Sequence, residues 1–469
     1  MTSAPGSPWR RPGSVGAIGA AAGLAGLAGA FYSYIAYAVD PRTVPLAMVA
    51  LASVALGLWR AQYGVALLVL VFPLTENAPI SDPGAARLRI ALILWVMALA
   101  ALHAVRLLLD RTRIPPPPLL GSAVVMVAAA VVTVPQALDV PSAAAKTLLL
   151  AGAVTVYLLI AVLLPDRRRL APVLHALVLI GLAVALHALY QYLTGQLSAV
   201  GFAGADGEVR YRVASLFPHP NMLAAFASVL VPISLGLSGL LQGRWRLACI
   251  ALVLLGTLTV LLTFSRGGLL ALAAAPVLYL RDRRAWPLLI LLLIVAVAVA
   301  PAGLSERLTS QQALGSTEFT TRLDFWRAAL TLFGDHPFLG VGLNSFGAGY
   351  LTIESSGRSF LGGGIFAVPE TAHNLYLNIL AEQGLVGFAA LLVLAWGFVQ
   401  ATRELRQDRD PALRQMGLAL RAAGLVVVVH NLLDVTFFDA KNAMLIWIVL
   451  GITAALVSIS RRERASVEA

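Results

Sequence analysis

The chain has 469 residues, of which 59% are hydrophobic and only 12% are charged, and its net charge is +11. A soluble domain carries about a quarter charged residues, so this composition excludes an ordinary cytosolic enzyme, a disordered protein and a nucleic-acid-binding module. The cations lie between apolar runs and form no single basic face, which argues against nucleic acid as a partner. The single cysteine, Cys249, excludes an intrachain disulfide and a thiolate metal site. The mean hydropathy of +0.84 indicates a polytopic membrane protein.

Apolar runs long enough to cross a bilayer recur along the whole chain. A spanning helix needs about 20 mostly apolar residues, so we expect an all-α protein with about 12 to 14 transmembrane helices. They form one integral membrane domain over residues 1–469. The expected spans are 15–39, 43–59, 61–74, 88–109, 117–135, 142–164, 170–193, 221–241, 245–264, 267–281, 286–303, 373–400, 417–436 and 440–460.

The distribution of arginine predicts the orientation of these spans. If the N-terminus is inside, alternate loops carry most of the cations, including Arg167–Arg169 and Arg461, Arg462 and Arg464. Lysine and arginine concentrate in cytoplasmic loops. We therefore expect a multi-pass protein of the inner (plasma) membrane with both termini in the cytoplasm.

Two long connections fall on the opposite, outer (periplasmic) side. They are residues 194–220 and the long extracytoplasmic loop 304–372. Within the second loop, Phe319, Leu323, Trp326, Leu330 and Phe333 form one apolar stripe of a helix, which we expect to lie on the outer membrane surface. Thr320 or Thr321 is expected to help start this helix, and Gly334 with Pro337 to stop it.

Three arginines at the outer ends of spans need an explanation. Arg266 interrupts a long apolar stretch and precedes two glycines, so it either binds phosphate oxygens or is a snorkelling interfacial arginine. Arg212 and Arg210 precede the span near Asn221; they are either binding residues or solvated loop cations.

His373 is the main candidate base. It lies at a helix start, with Thr371 as an expected N-cap, and a helix N-terminus favours a neutral imidazole that can accept a proton. The alternative is a structural histidine that caps the helix. His219 is the rival base, but Pro218 and Pro220 flank it and predict a rigid turn.

Two acidic features have less direct interpretations. If 373–400 is one straight span, Glu382 lies about 13 Å deep in the membrane. Alternatively, a short outer helix ends near Gly384 and the span starts there.

Asp408-Arg409-Asp410 matches a metal-binding Asp-x-Asp pattern, but a solvated cytoplasmic loop is the preferred interpretation.

Four outer-side motifs in this order resemble the O-antigen ligase family, which includes O-antigen polymerases and protein O-glycosyltransferases. The resemblance covers roughly residues 205–390, and the family commonly has Asn-Pro-Asn where this chain has His219-Pro220-Asn221. The matching stretches read RVASLFPHPNMLAAF, LTFSRGGLLAL, RLDFWRAALTLFGDHPFLGVGLNSF and HNLYLNILAEQGLVG.

The resemblance implies a GT-C-like, metal-independent, inverting glycosyltransferase without a cofactor. It implies that a glycan passes from a polyprenyl (undecaprenyl) diphosphate carrier to an acceptor hydroxyl of a glycan, lipid or protein at the outer face of the membrane. The implied catalytic residues are His373, Arg266 and Arg212, and no metal ligand is expected. Donor-binding roles are expected for Arg210, His219, Asn221, Arg322, Arg327 and Asn374.

Two other classes of protein compete with this interpretation. A transporter of a small anion or a lipid-linked sugar would place polar groups on broken helices near the membrane midplane. A non-enzymatic assembly factor would tolerate loss of His373. The motifs do not separate a ligase from a polymerase.

Overall fold

A computed structural model describes residues 55–57, 59–74, 96, 99, 100, 103, 105, 115–203, 209–279, 317–356 and 368–468. The expected spans 15–39 and 286–303, and most of 43–59 and 88–109, lie outside these residues. The helices are α1 Ala61–Val71, α2 Leu120–Val132, α3 Val140–Leu163, α4 Arg167–Thr194, α5 Pro220–Leu240, α6 Arg244–Leu262, α7 Arg266–Ala274, α8 Thr317–Asp335, α9 Phe346–Ser355, α10 Leu375–Arg406, α11 Pro411–His430 and α12 Ala440–Glu468. Short 3-10 segments, Phe72–Leu74 and Ala275–Tyr279, follow α1 and α7.

Seven of the described helices are long and apolar enough to cross a membrane: α3, α4, α5, α6, α10, α11 and α12. Together with the almost complete lack of sheet in the described ranges, they confirm the expected all-α polytopic membrane protein. The exception is a small antiparallel hairpin in the first long loop, β1 Gly201–Ala203 with β2 Val209–Tyr211, in which Phe202 is opposite Arg210.

The helices start and end at residues that satisfy the free backbone groups. Asp139, Asp166 and Asp410 cap α3, α4 and α11 by accepting hydrogen bonds from backbone N–H groups. Gly195, with φ of 70°, ends α4. Helices α4, α6 and α11 end at one end of the bundle, after residues 194, 262 and 430. Helices α5, α7, α10 and α12 begin at the same end, so the loops that follow those residues gather there. We call this the upper end and the opposite end the lower end.

The centre of the bundle is built from α12 and α5, the two most buried of the seven long helices. α12 packs against α3, and α5 packs against α6 and α11. Trp447 and Phe226 are among the largest fully buried side chains there. Through the contacts of α12 with α3 and of α5 with α11, the second half of the chain packs against the first.

At the lower end, ion pairs connect the end of α12 to two loops. Arg167 lies 2.7 Å from both Glu463 and Asp410, and Arg464 donates to Asp408. Ser460 also donates to Asp408, which is buried. The expectation of a solvated loop at 408–410 is therefore wrong for Asp408, because this carboxylate is a buried acceptor that holds α12 in place.

Helix α10 is broken at Gly384, where φ is 59° and ψ is −154°. The interpretation of 373–400 as one straight span is thereby excluded, and a short upper helix ends next to Gly384. Glu382, in that short helix, is only 2% exposed.

The helix predicted in the long outer loop is present as α8 and packs against α10. It ends at Asp335, next to Gly334 as expected, but begins at Thr317, earlier than Thr320. Its buried face consists of Phe325, Ala328, Ala329 and Leu332. The predicted stripe lies beside that face: Leu330 is exposed, and Leu323, Trp326 and Phe333 are half-buried.

Candidate active site

The loop between β2 and α5 holds Arg212 inside the upper end. Gln191 of α4 accepts hydrogen bonds from the backbone N–H groups of Ala214 and Ser215, and the Ser215 hydroxyl donates to the carbonyl of Val184. Arg212 is only 5% exposed as a result.

The Arg212 guanidinium connects α5 to the end of α6. Its Nε donates to the Thr263 carbonyl at 2.6 Å, and its Nη2 donates to Asn221 Oδ1 at 2.8 Å. These two contacts, both to neutral oxygens, orient the guanidinium. Arg212 is therefore built into the site and is not a solvated loop cation.

Asp434 joins the Arg212 network to His373. Its Oδ2 accepts from Asn221 Nδ2 at 2.9 Å, and its Oδ1 lies 3.4 Å from His373 Nδ1. Burial alone would raise the pKa of Asp434, but hydrogen bonds from His373 and from the Val435 N–H hold this pKa below its usual range. Asp434 is thus a carboxylate at neutral pH.

His373 combines a strained backbone with an accessible ring. Its φ is 49°, in the left-handed region, and its ring stacks on Phe325 of α8 with centroids 6.1 Å apart. The side chain is 40% exposed. With Nδ1 directed at Asp434, Nε2 is the nitrogen left to accept a proton from outside.

The N-cap of α10 is Asn374, and the expectation that Thr371 caps this helix is wrong. Asn374 Oδ1 accepts from the N–H groups of Tyr376 and Leu377, whereas Thr371 Oγ1 accepts from the N–H of His373. Asn374 Nδ2 also donates to the Leu432 carbonyl, so this residue fixes the start of α10 against the loop that carries Asp434.

Arg266 is the first residue of α7 and is half-buried. A Cβ added at Gly268 would lie 2.6 Å from the Ala224 Cβ, so only glycine lets α7 approach α5 this closely. A Cβ added at Gly267 would lie 3.6 Å from the Leu433 Cβ and 3.8 Å from His430 Nε2. The start of α7 therefore lies against the loop that contains Asp434.

Helix α8 adds one further cation. Arg322 Nη1 donates to the Leu433 carbonyl at 2.6 Å, next to Asp434. Arg327 lies on the exposed side of the same helix, 64% exposed and paired with Asp324. The structure thus brings Arg322 to the cluster, whereas Arg327 points elsewhere.

His219 is the N-cap of α5, and its Nδ1 accepts from the N–H of Asn221. Burial and the positive charge of Arg212 lower the pKa of His219 to about 4. At neutral pH it is therefore an uncharged and weak base. Its position as the N-cap of α5 agrees with the turn predicted from Pro218 and Pro220. Arg210 lies on β2, one residue before Tyr211.

The cluster suits a polyanion in physical terms. Helices α5, α7 and α10 all begin here, and the N-terminus of a helix carries the equivalent of about half a positive charge. Arg212 and Arg322 add guanidinium groups, and Arg266 begins α7 beside them. Guanidinium groups bind phosphate oxygens bidentately. In the part of the chain that the structure describes, no three His, Cys, Asp or Glu side chains are grouped as a metal site would require.

Asp434 is the functional residue that sequence reasoning missed. The expected span 417–436 placed it inside a membrane helix, but α11 ends at His430 and residues 431–439 form a loop. The available signal was the polar sequence His430-Asn431 followed by Asp434 after an apolar run.

Comparison with known families confirms the resemblance drawn from the motifs. Residues 250–392 match the family model described as O-Antigen ligase. The match includes Arg266, Arg322 and His373, while Arg212 and Asp434 lie on either side of it. No curated protein matches the chain.

Proposed function

Because the chain carries an O-antigen ligase domain at residues 250–392, we propose that it moves a glycan from a polyprenyl diphosphate carrier to an acceptor hydroxyl. The domain implies an O-antigen ligase or polymerase type of enzyme, a lipid-linked glycan substrate and a membrane environment. The observation that carries the proposal further is Asp434, whose two oxygens contact His373 and, through Asn221, the Arg212 guanidinium. A candidate base and a candidate phosphate-binding group thus share one carboxylate.

Arg212 and Arg266 bind the diphosphate of the donor, with Arg322 beside them. Positive groups fixed in place before the reaction stabilise the charge that develops on the departing diphosphate. This role needs no divalent cation, so the reaction is proposed to be metal-independent.

His373 acts as the general base. Its Nε2 takes the proton of the acceptor hydroxyl while that oxygen attacks the anomeric carbon. The bond from this carbon to the diphosphate oxygen breaks, and its electron pair leaves with the polyprenyl diphosphate. Because attack and departure occur on opposite faces, the anomeric configuration inverts. Asp434 accepts a hydrogen bond from Nδ1–H and stabilises the imidazolium that forms, as the carboxylate of a catalytic triad does.

The competing transporter hypothesis has less support. A transporter would use a broken helix to form an ion or substrate site. α10 is broken at Gly384, but its adjacent acid, Glu382, is buried and accepts a hydrogen bond from the Phe346 N–H. The break is filled by protein backbone, whereas the cations gather at the upper end.

The proposed location is the plasma membrane, with the upper end facing outward and both termini in the cytoplasm. The ion-paired arginines of the lower end, such as Arg167 and Arg464, support this orientation because cytoplasmic loops are rich in arginine.

The proposal is tested by transfer with purified protein, a polyprenyl-diphosphate glycan and candidate acceptors, in the presence of EDTA. Lipid A-core sugar, a growing polysaccharide, a teichoic-type polymer and a protein serve as acceptors. We expect EDTA-resistant transfer, and a loss of about 10²- to 10⁴-fold in His373→Ala or Arg266→Ala. Full activity of folded His373→Ala protein would remove His373 as the base.

Asp434→Asn tests the carboxylate that links His373 to the Arg212 network. We expect kcat to fall about 10²-fold or more, because an amide does not stabilise the imidazolium. Asp439→Asn is the matched control: it makes the same change in the same loop at the start of α12, where Asp439 accepts from Asn442. Equal rates in both variants would contradict the role of Asp434.

A further inference from the structure

Glu382 is a buried acid without a place in the proposed reaction. It lies in the short upper segment of α10 and is 2% exposed. Its carboxyl group accepts from the backbone N–H of Phe346, at 3.0 Å, and also faces the backbone of Asn344. The side chain of Asn378, one turn earlier in α10, lies beside it.

The surroundings of Glu382 are held rigidly by the break in α10. Residues 337–342 run along it: the N–H groups of Val341 and Gly342 donate to the carbonyls of Ala381 and Glu382. On the other side of the break, the N–H groups of Leu385 and Val386 donate to the carbonyls of Pro337 and Phe338. The position of Glu382 is therefore set by the segment between α8 and α9.

Asn378 connects Glu382 to the residue that precedes His373. It is 2% exposed, its side chain faces Glu382, and its Oδ1 accepts from the N–H of Ala372 at 2.9 Å. Ala372 is fully buried and precedes His373. This connection thus ends on the N–H of Ala372, one peptide unit before the peptide that joins Ala372 to His373.

We propose that Glu382 and Asn378 are positioning residues that hold His373 in the conformation that directs its Nδ1 to Asp434. The inference rests on the proposed function for its catalytic consequence, but the geometric link stands on its own. A left-handed backbone at a residue with a side chain persists only where the surrounding structure imposes it. The contact of Asn378 with Ala372 fixes the residue before His373 and adds to this constraint from within α10.

Hydrogen-bond chemistry explains why position 382 needs a carboxylate. The Phe346 N–H donates to it and the Asn344 and Asn378 donors face it, and a carboxylate offers only acceptors. A glutamine would offer one acceptor oxygen and would direct an N–H₂ group at a donor. If its amide turned towards Asn378, it would release the amide that holds Ala372.

The experiment compares Glu382→Gln and Asn378→Leu with the wild type. Gln383→Met is the matched control, since Gln383 is fully buried in the same segment and its polar side-chain atoms have no partner among the described residues. Histidine-labelled protein in nanodiscs is observed by ¹⁵N NMR, and the His373 signal is assigned by its loss in His373→Gln. Binding of polyprenyl diphosphate and kcat for glycan transfer are measured on the same samples.

We expect the Nδ1–H tautomer of His373 to give way to a mixture in both test variants and to persist in Gln383→Met. We expect kcat to fall about 10- to 100-fold, with the Kd for polyprenyl diphosphate within about twofold of the wild type. In a His373→Ala background, neither change should lower the residual rate further, whereas a general structural role would.

An unchanged His373 signal in both variants would overturn the inference. So would a changed signal with an unchanged kcat. If Glu382→Gln fails to fold, Asn378→Leu carries the test alone, because it breaks the link and leaves Glu382 in place. A changed signal in protein that transfers no glycan to any acceptor supports the geometric link and counts against the proposed function instead.

Discussion

Backbone strain occurs at several residues near the candidate active site. Among the described residues, Ser215, Phe264, Asn344 and His373 have positive φ without being glycine, as does Leu119 before α2. Each such residue costs about 1–3 kcal/mol and persists only where neighbouring contacts impose it. Ser215 is fixed by α4, Phe264 turns the chain into Arg266, and His373 follows Ala372. The strain therefore holds the arginines and the imidazole in fixed positions before any substrate binds.

His219 makes the stability of the protein sensitive to acid. Because the pKa of His219 is lowered to about 4 in the folded protein, the unfolded chain binds more protons between pH 4 and its ordinary value of about 6.5. Folding stability therefore falls as the pH drops through this window. His219→Asn keeps an N-cap acceptor and removes the titrating ring. We expect Tm to fall about 2 °C less between pH 7.5 and pH 5 than in the wild type, by thermal unfolding.

His336→Asn is the control for this measurement, because His336 is an exposed histidine just after α8. Its pH dependence of Tm should follow that of the wild type. If Tm depended on pH equally in the wild type and in His219→Asn, His219 would not be the group that makes the stability sensitive to acid.

The sequence indicated the candidate residues of the site but not the contacts that join them. Arg212, Arg266 and His373 lie in recognisable motifs, and charged groups beside apolar runs are rare enough to be noticed. Asp434 was missed because hydropathy does not show where a helix ends within an apolar stretch. The end of α11 at His430 is set by tertiary contacts, among them the Leu375 N–H donating to the Asn431 carbonyl.

At the scale of a single element, the break in α10 depends on Gly384. Its backbone angles are accessible to glycine alone, and a Cβ there would lie 2.4 Å from the backbone of Phe338. We expect Gly384→Ala to lower the free energy of unfolding by more than about 3 kcal/mol, measured by thermal unfolding in detergent.

Gly195→Ala is the comparison for Gly384→Ala. Gly195 also has positive φ, but no atom lies within 4 Å of its added Cβ, so the cost is only about 1–2 kcal/mol. Equal destabilisation by the two variants would show that contact with residues 337–338 does not matter.

Two predicted helix boundaries agree with the structure at a glycine or a proline, whereas the starts predicted from Thr320 or Thr321 and from Thr371 do not. α8 ends beside Gly334, and α5 begins at Pro220. The break at Gly384 remained an open alternative, since an isolated glycine within an apolar helix is ordinary. What decides it is the segment 337–342, whose pairing with α10 joins residues about 45 positions apart and leaves no local pattern.

At the scale of the whole molecule, the orientation of the two ends is open to direct measurement. Cys249 is fully buried, so the wild type provides an unlabelled background. Phe338→Cys introduces a thiol at a 69% exposed upper-end position, and Ser466→Cys introduces one at the exposed lower end. We expect a membrane-impermeant maleimide to label Phe338→Cys in intact cells and Ser466→Cys only after permeabilisation.

The converse labelling pattern would place the upper end in the cytoplasm and contradict the proposed orientation. Labelling of both variants in intact cells would indicate leaky membranes and is tested with a cytoplasmic marker protein.

The central place of α12 has a consequence for biosynthesis. This helix leaves the ribosome after the other described helices, yet its principal neighbour is α3, almost 300 positions earlier. The packing of α12 on α3 can form only after α12 has been inserted, so the centre of the bundle is completed late in assembly, when one last hydrophobic segment arrives.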